Sequence, residues 1–482
     1  MNYRLILLLI GNVIRIEAAL MLLPLAVSFI YGSGDYAPFL WSIPILAIVG
    51  TLLASIKSKE KNFRTKDAFI AVAFSWLGLS LFGALPFCFS GCFPRIIDCF
   101  FESISGFSAT GATILTEIES LPRAILFWRS FTHWIGGMGV LLFIMAVMPS
   151  MNASSVNLLR SETTGPMPGK IVPKIRETAR ILYIIYFAMT GLLVILLCVV
   201  GLPIFDSLVT SFSTAGTGGF TVLNSSIAGY NNVAAEIIIT IFMFLFGISF
   251  SLYFLLLGRK FMKFFTDGEL KAYACFFVGA IAIITINTFS SGVYKSISDA
   301  LRYSSFQVSS IMTTTGFSIE DHNLWPTLSQ SILVVLMFIG SCGGSTGGGI
   351  KVVRVLILFK AAKNEIVKVF HPEAIRPISL NKKSISGELV SKTAAYFFIH
   401  FAILGIAIIV LSIEGKDFIT TTTSAVASLN NIGPGLGIVG PAGNYSSYSV
   451  ISKVVLSFCM MAGRLEFFPI LALFTSTAWK KA

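Results

Sequence analysis

A glycine cluster that leads into a lysine occupies residues 340–354, "GSCGGSTGGGIKVVR". Glycine-rich loops of this kind often wrap phosphate, and a Walker A loop has the pattern G-x-x-x-x-G-K-[ST]. Gly344 and Gly349 have the required spacing. However, Ile350 intervenes before Lys351, and a valine follows the lysine where the pattern needs Ser or Thr. The pattern fails at two places, so the phosphate interpretation is not supported.

A second glycine pattern lies at residues 435–440, where "GLGIVG" satisfies the dinucleotide-binding pattern G-x-G-x-x-G. That pattern is informative only between a strand and a helix. Here a polar segment precedes it and no evident helix follows. The sequence therefore predicts no nucleotide site in this chain, and any nucleotide regulation would have to come from a partner protein.

The composition indicates which elements must position these glycines. Hydrophobic residues make up 55% of the 482 residues and charged residues 12%, with a mean hydropathy of +0.84. Soluble domains carry about 25% charged residues. Apolar runs of roughly 18 residues or more recur along the chain, and each could cross a bilayer as a helix. The sequence predicts an all-α polytopic membrane protein in contact with the lipid bilayer.

Charged residues alternate between basic and acidic connecting segments. Cytoplasmic loops of membrane proteins collect Lys and Arg, so the net charge of +12 needs no nucleic-acid partner. The same rule predicts that both termini are cytoplasmic and that about ten helices span the membrane, as one N-terminal hairpin and four further pairs. The basic segments are Lys57–Lys66, Arg160–Arg180, Arg259–Lys271, Lys360–Lys392 and Lys480–Lys481.

Each of the four later helix pairs has, in its outer connection, a segment too short and too polar to span. The four segments are "DCFFESISGFSATGATIL", "DSLVTSFSTAGTGGFTVL", "DALRYSSFQVSSIMTTTGFSI" and "DFITTTTSAVASLNNIGPGLGIV". They begin at Asp98, Asp206, Asp299 and Asp417 and reach a glycine at Gly111, Gly219, Gly316 and Gly433. Four such copies, about 100 residues apart, are an internal repeat, which determines how the whole fold is interpreted.

The repeat divides the chain into five units. An N-terminal transmembrane hairpin covers residues 1–60, and the first pore repeat covers 61–160. The second, third and fourth pore repeats cover 161–265, 266–370 and 371–482. The glycine cluster falls in the third repeat, inside its predicted second helix.

The repeated unit has a consistent physical interpretation. We expect each aspartate to be the N-cap of a short helix, whose negative end would then point inward toward a cation. The glycine that follows permits backbone conformations closed to other residues. Four copies around one axis would supply rings of backbone carbonyls, which can replace the water shell of a cation. The sequence thus predicts four helix–pore loop–helix repeats around a pseudo-fourfold ion pore.

At this point the chain resembles a known family, the TrkH-type subunit of bacterial potassium uptake systems, within the superfamily of Trk, Ktr and HKT potassium transporters. The residues that carry the resemblance are "ESISGFSATGATIL", "FWRSFTHWIGGMGVLLF", "GSCGGSTGGGIKVVR", "SLNNIGPGLG" and "MAGRLEFFPI". The resemblance implies K⁺ as the transported ion, no cofactor, a homodimer and a cytoplasmic TrkA-type subunit that binds nucleotides and controls gating. It also implies a bacterial plasma (inner) membrane location.

The resemblance also implies roles for individual residues. An intramembrane loop would block the pathway beneath the filter, with Arg464 beside it. The alternatives are a kinked, closely packed helix for the glycine cluster and a structural ion pair for Arg464. The implied filter positions are Thr110, Gly111, Gly218, Gly219, Thr315, Gly316, Ile432 and Gly433. The implied gate positions are Gly343, Gly344, Ser345, Thr346, Gly347, Gly348, Gly349 and Arg464.

Two details bear on selectivity and on the repeated pattern. In this superfamily a filter glycine in the first loop is associated with potassium preference, and Gly111 fits that pattern. The fourth loop departs most from the pattern, with Asn430, Asn431 and Pro434 around its glycine. We therefore expect side chains to shape the fourth position as much as carbonyls do.

The leading hypothesis is passive, channel-like potassium transport gated from the cytoplasm. The alternative is a secondary transporter that couples potassium or another solute to H⁺ or Na⁺ through broken helices at midmembrane. Such a transporter would have two matching halves, whereas the sequence contains four matching units. The chain is not expected to be an enzyme, since we find no catalytic triad, metal cluster or acid pair in a plausible pocket.

Overall fold

The structure, a computed structural model, describes residues 2–56, 65–139, 175–372, 377–381 and 383–479. The chain is mostly helical, as the sequence predicts. Within the described ranges, the strands form one two-stranded antiparallel ribbon, Ser379–Leu380 with Lys383–Ser384. The predicted basic segments Lys57–Lys66 and Arg160–Arg180 and the terminal lysines lie largely outside the described residues.

The N-terminal hairpin consists of two segments that are long and apolar enough to cross a membrane. The first is the pair Tyr3–Leu20 and Leu22–Tyr31, and the second is Ala37–Ala54. The Asn2 side chain caps the first helix by accepting a hydrogen bond from the Leu5 amide at 3.2 Å, as a capping residue should. This hairpin packs against the first helix of repeat 1.

The four repeats share one order of elements: a first helix, a short helix and a second helix. The first helices are Thr65–Gly83 continued by Leu85–Phe89, Ile175–Val199, Gly268–Ser290 and Gly387–Ser412. The short helices are Ile96–Phe107, Ile204–Gly216, Ile297–Met312 and Phe418–Leu429. The second helices are Arg123–Gly137, Val233–Phe246 with Phe250–Leu257, Thr327–Ile339 with Val352–Phe370, and Val450–Arg464 with Phe468–Ala472. Smaller elements are the helices Phe261–Phe265 and Ser476–Trp479 and the 3₁₀ turns Ser226–Tyr230, His322–Leu324 and Gly437–Val439.

The second helices differ from the single spans that the predicted count of about ten helices assumes. Among the described residues, six helices are long and apolar enough to cross a membrane, or seven if one bent pair counts as a single span. That pair, Val233–Phe246 and Phe250–Leu257, bends by 92°. The second helices of repeats 3 and 4 are broken as well. Hydropathy counts apolar residues and does not detect such breaks, so the length rule missed all of them, and only the glycine cluster was visible from its composition.

The aspartates of the short helices also differ from the prediction. Only Asp417 is an N-cap, with its carboxylate accepting from the Thr420 amide at 2.9 Å. Asp98, Asp206 and Asp299 lie within the first turn instead, after the caps Arg95, Pro203 and Ser296. A carboxylate in the first turn still faces the positive end of the helix. The aspartates therefore still interact favourably with the positive ends of their helices, but the N-cap assignment was wrong for three of the four helices.

Polar and apolar residues are distributed as a bilayer requires. Large apolar side chains face outward, such as Phe187, 68% exposed, and Ile409, 71% exposed. The short helices bury their hydroxyl side chains inside the protein, including Ser103, Thr210 and Ser424. Since lipid tails are as apolar as Leu, an apolar exterior around a polar interior is the stable arrangement for a membrane protein. The short helices therefore form the polar core of the molecule.

Candidate functional site

The four short helices each run into a return loop of the same backbone form. We name these loops by their residues: Ala109–Gly111, Thr217–Gly219, Thr314–Gly316 and Asn431–Gly433. The first residue of each has a left-handed conformation, with φ of 54°, 54°, 59° and 56°. The closing glycines have φ of 80°, 80°, 83° and 93°. The middle residues are not among those with positive φ. Each loop therefore has positive φ at its first and third residues and not at its second.

The return loops form a closed ring. A Cβ added to Gly111 would collide with the carbonyl oxygen of Gly218, and one added to Gly219 would collide with that of Thr315. The same holds for Gly316 against Ile432. A Cβ on Gly433 would come within 2.6 Å of the Thr110 carbonyl oxygen, which closes the circle.

The ring brings together all eight predicted filter residues. At each close approach, the glycine of one repeat faces the carbonyl of the residue that precedes the glycine of the next repeat. Thr110, Thr315 and Ile432 are fully buried, while Gly111 and Gly219 are partly exposed. Gly316 is also partly exposed, whereas Gly218 and Gly433 are buried, so three of the four closing glycines line a surface that solvent can reach.

A buried ion pair supports the first return loop. The Glu102 carboxylate accepts from Arg129 Nε at 2.6 Å and from the Thr113 hydroxyl at 2.9 Å and the Ile114 amide at 3.2 Å. Arg129 also donates to the Thr221 carbonyl at 3.1 Å, just beyond the second return loop. Arg129 itself is 1% exposed. Its buried position could not be predicted from the sequence, because its carboxylate partner Glu102 lies 27 residues away.

Side chains join the fourth repeat to the first. Asn431 Nδ2 donates to the Thr110 hydroxyl at 3.0 Å and to the Met460 carbonyl at 2.8 Å. Lys453 Nζ donates to Asp98 at 2.7 Å, with both side chains buried. The departure of the fourth loop from the repeated pattern thus supplies a link across the closing contact of the ring.

The glycine cluster forms an extended loop, the glycine loop, between Ile339 and Val352. The Gly348 amide donates to the Thr314 hydroxyl at 2.6 Å, and the Gly349 amide donates to the Asn430 carbonyl at 3.1 Å. The loop therefore contacts the residues where two short helices end. It lies on the side of the ring from which the short helices' C-termini approach.

Other repeats also contact the glycine loop. The Cys342 amide donates to the Gly247 carbonyl at 3.0 Å, at the 92° break of repeat 2. Arg464 donates to the Thr346 carbonyl at 2.8 Å and also to the carbonyls of Gly136 and Gly137. The breaks in the second helices thus meet around the loop. Glu466, the acid nearest to Arg464 in sequence, pairs with Arg354.

Lys351 has a role that sequence patterns did not indicate. Its Nζ donates to the Gly347 carbonyl at 2.5 Å and to the Cys342 carbonyl at 3.4 Å, and the residue is 1% exposed. Its own φ is +77°, unusual for a residue other than glycine. The lysine of the rejected phosphate pattern is therefore a structural cation whose charge is taken up by carbonyls of its own loop.

The sequence and the fold are both similar to those of known proteins. The family model of TrkH, described as a cation transport protein, matches residues 39–481. The chain belongs to the TrkH family. Cation transport, rather than enzymatic catalysis, is therefore the activity class of its family.

Curated members of the TrkH family are similar to this chain over its full length. The "Trk system potassium uptake protein TrkH" of Salmonella typhimurium is 35% identical, with 100% of both chains covered. The "Trk system potassium uptake protein TrkG" of Escherichia coli is 31% identical and covers 98% of this chain and 97% of its own. The crystal structure of the potassium transporter TrkH from Vibrio parahaemolyticus has a TM-score of 0.90 at 30% identity, with both chains fully covered.

Proposed function

We propose that this protein takes up K⁺ through a channel-like pore whose selectivity filter is the ring of four return loops. The ring carries this proposal, because four backbone segments from four repeats meet glycine against carbonyl in a closed cycle. The names of the curated relatives, potassium uptake proteins of Trk systems, agree with this substrate.

The chemistry of the ring suits a dehydrated monovalent cation. Backbone carbonyl oxygens replace the hydration shell of an ion without adding fixed negative charge. The short helices end three or four residues before the ring glycines, so their partial negative ends add a favourable field there. The eight proposed filter residues are Thr110, Gly111, Gly218, Gly219, Thr315, Gly316, Ile432 and Gly433.

The glycine loop is the proposed gate. It lies against Thr314 and Asn430, immediately beside the ring. The Arg464 guanidinium is held close to it by the Thr346 carbonyl. A fixed positive charge there raises the energy of a passing cation, so the loop and Arg464 together oppose flow until they move. The proposed gate residues are Gly343, Gly344, Ser345, Thr346, Gly347, Gly348, Gly349 and Arg464.

The proposal extends to the assembly. Membership of a Trk system supports a regulatory partner, which we take to be a cytoplasmic TrkA-type nucleotide-binding subunit. The rejected nucleotide patterns within this chain are consistent with regulation from outside it. We further propose a homodimer in the bacterial inner membrane, with both termini cytoplasmic, as the distribution of basic segments suggests. The proposal requires no cofactor.

Ion flux in liposomes tests the proposed function. Purified protein is reconstituted, and rubidium uptake is driven by an imposed voltage without a proton gradient. Uptake that follows the voltage supports the pore, and uptake that strictly depends on a pH gradient would favour a coupled transporter instead.

Substitution of a ring glycine tests the filter. Gly111→Ser introduces a Cβ where the Gly218 carbonyl lies, so we expect a higher sodium-to-rubidium permeability ratio. Gly405→Ser is the matched control, because a Cβ at Gly405 meets no atom within 4 Å and the residue lies in the first helix of repeat 4. Equal permeability ratios in both variants and the wild type would contradict the filter assignment.

A further inference from the structure

Glu269, the second residue of the first helix of repeat 3, contacts the glycine loop at both of its ends. Its Oε1 accepts a hydrogen bond from the Gly343 amide at 2.6 Å and another from the Val353 amide at 3.2 Å. Gly343 lies near the start of the glycine loop, and Val353 lies just after its end. One carboxylate oxygen therefore ties together the two ends of the segment proposed as the gate.

The equivalent residue of repeat 4 shows that this contact is not a general property of the repeats. Both first helices begin with Gly-Glu-Leu, at Gly268–Leu270 and at Gly387–Leu389. Glu388 has a side chain that is 75% exposed and pairs with Lys392 at 2.5 Å. An acid in the first turn is favourable for any helix. Bonding to the glycine loop is specific to Glu269.

The start of the same helix is also bound by the two-stranded ribbon. Asn381, at the turn of the ribbon, accepts from the Gly268 amide at 2.7 Å and donates to Asp267 Oδ2 at 2.6 Å. Lys360, on the helix that follows the glycine loop, donates to the Ser379 carbonyl at 2.7 Å. The ribbon thus contacts both helices that hold the ends of the loop, and its nearest contact is one residue from Glu269.

We propose that Glu269 is a positioning residue that holds the glycine loop in its blocking conformation, and that the ribbon transmits movements of the cytoplasmic surface to it. This proposal rests on the proposed gating function of the loop. A carboxylate makes charge-assisted hydrogen bonds, which are stronger than neutral ones. Removing the carboxylate leaves the Gly343 and Val353 amides without their acceptor. This raises the free energy of the blocking conformation. A pull on the ribbon would have the same effect by moving the carboxylate away.

Rubidium flux through the reconstituted protein without any partner tests this role. We expect Glu269→Ala to raise the flux about tenfold, since it removes the acceptor of two hydrogen bonds. Glu269→Gln should raise it less, because the amide oxygen still accepts. Glu388→Ala should match the wild type, and the rubidium-to-sodium ratio should stay constant because the ring is untouched. Flux through Glu269→Ala that equals the wild type or falls below it would overturn the proposal.

Thiol labelling gives a readout that does not depend on ion flow. Cys342 lies in the glycine loop and is fully buried, while Cys459 is buried in the second helix of repeat 4. N-ethylmaleimide labelling, located by mass spectrometry, should rise at Cys342 in Glu269→Ala and stay low at Cys459. Equal labelling of Cys342 in the variant and wild type would contradict a loosened loop. A rise at both cysteines would show general unfolding and would also count against the proposal.

The ribbon is tested with the same two readouts. Asn381→Ala should raise flux and Cys342 labelling in the same direction as Glu269→Ala, and Ser384→Ala, on the other strand, serves as the control. Unchanged values for Asn381→Ala would refute the coupling through the ribbon. If the wild type passes no rubidium at all, the proposed function fails, whereas the labelling result still decides whether Glu269 holds the loop.

Discussion

The buried pair of Glu102 and Arg129 gives the most direct test of how the ring is supported. Their side chains are 0% and 2% exposed and are joined at 2.6 Å. Removing one partner of a buried ion pair costs about 3–5 kcal/mol, since the other charge stays buried without compensation. Arg129 keeps its bond to the Thr221 carbonyl and its stacking on Phe220 at 3.6 Å. We therefore expect Glu102→Gln to lower the free energy of unfolding by about 3 kcal/mol, the lower end of that range.

The assay is a double-mutant cycle. Unfolding in mixed detergent micelles is measured for the wild type, Glu102→Gln, Arg129→Met and the double variant. Because replacing both members of a buried pair is often nearly neutral, the double variant should recover most of the loss. The coupling free energy should be about 2–3 kcal/mol. The exposed pair Glu388–Lys392, tested in the same way, should show no measurable coupling.

The same variants link stability to selectivity. Glu102 also accepts hydrogen bonds from Thr113 and Ile114, which begin two residues after the end of the first return loop. We expect Glu102→Gln to lower the rubidium-to-sodium permeability ratio in liposomes, while Glu388→Gln leaves it unchanged. The reasoning is refuted if Glu102→Gln costs no more stability than Glu388→Gln, or if the two single effects simply add in the double variant.

Two further predictions concern the proposed gate and a buried histidine. Arg464→Gln should raise rubidium flux several-fold because it removes a fixed charge beside the Thr346 carbonyl, and unchanged flux in liposomes would argue against that electrostatic role. Burial lowers the pKa of His322 from 6.5 to about 4, opposed by its bond to the Gly435 carbonyl and by Asp321. Between those pH values the folded protein binds fewer protons than the unfolded chain. The contribution of His322 to stability is therefore fully present above about pH 6.5 and is lost as the pH falls toward 4. His322→Gln should reduce this decline in thermal unfolding measured at pH 7 and pH 5, and an identical decline in the variant would contradict the assignment.

Much of the fold follows from periodic features of the sequence. Hydropathy predicts a helical membrane protein, and the recurrence of aspartate, small residues and glycine predicts four related units. The bend after Phe246 has no such signal, because the sequence around it is as apolar as an unbroken span. The caps at Arg95 and Pro203 were missed for a related reason, since aspartate is equally favourable in the first turn.

The site was predictable where backbone conformation matters and unpredictable where distant side chains pair. The ring glycines stand out because each repeat contains one at the same place. The bonds of Glu102 to Arg129 and of Asp98 to Lys453 join residues 27 and 355 positions apart. Contacts between residues so far apart in sequence cannot be inferred from a single sequence. Glu269 and Glu388 both lie in a Gly-Glu-Leu segment at the start of a first helix, and the fold separates their environments.

The ring is built from four segments of one polypeptide, and this has a consequence for how it responds to substitution. In a pore made from four identical subunits, every substitution appears four times around the axis. Here each substitution alters one quarter, so the four equivalent positions need not be identical: Thr110 and Thr315 are threonines, whereas Gly218 is a glycine and Ile432 an isoleucine. The glycine loop likewise belongs to a single repeat, and repeats 2 and 4 contribute surfaces against which it rests. With the proposed filter in the ring and the proposed gate in the glycine loop, permeation and its control can change independently, one repeat at a time.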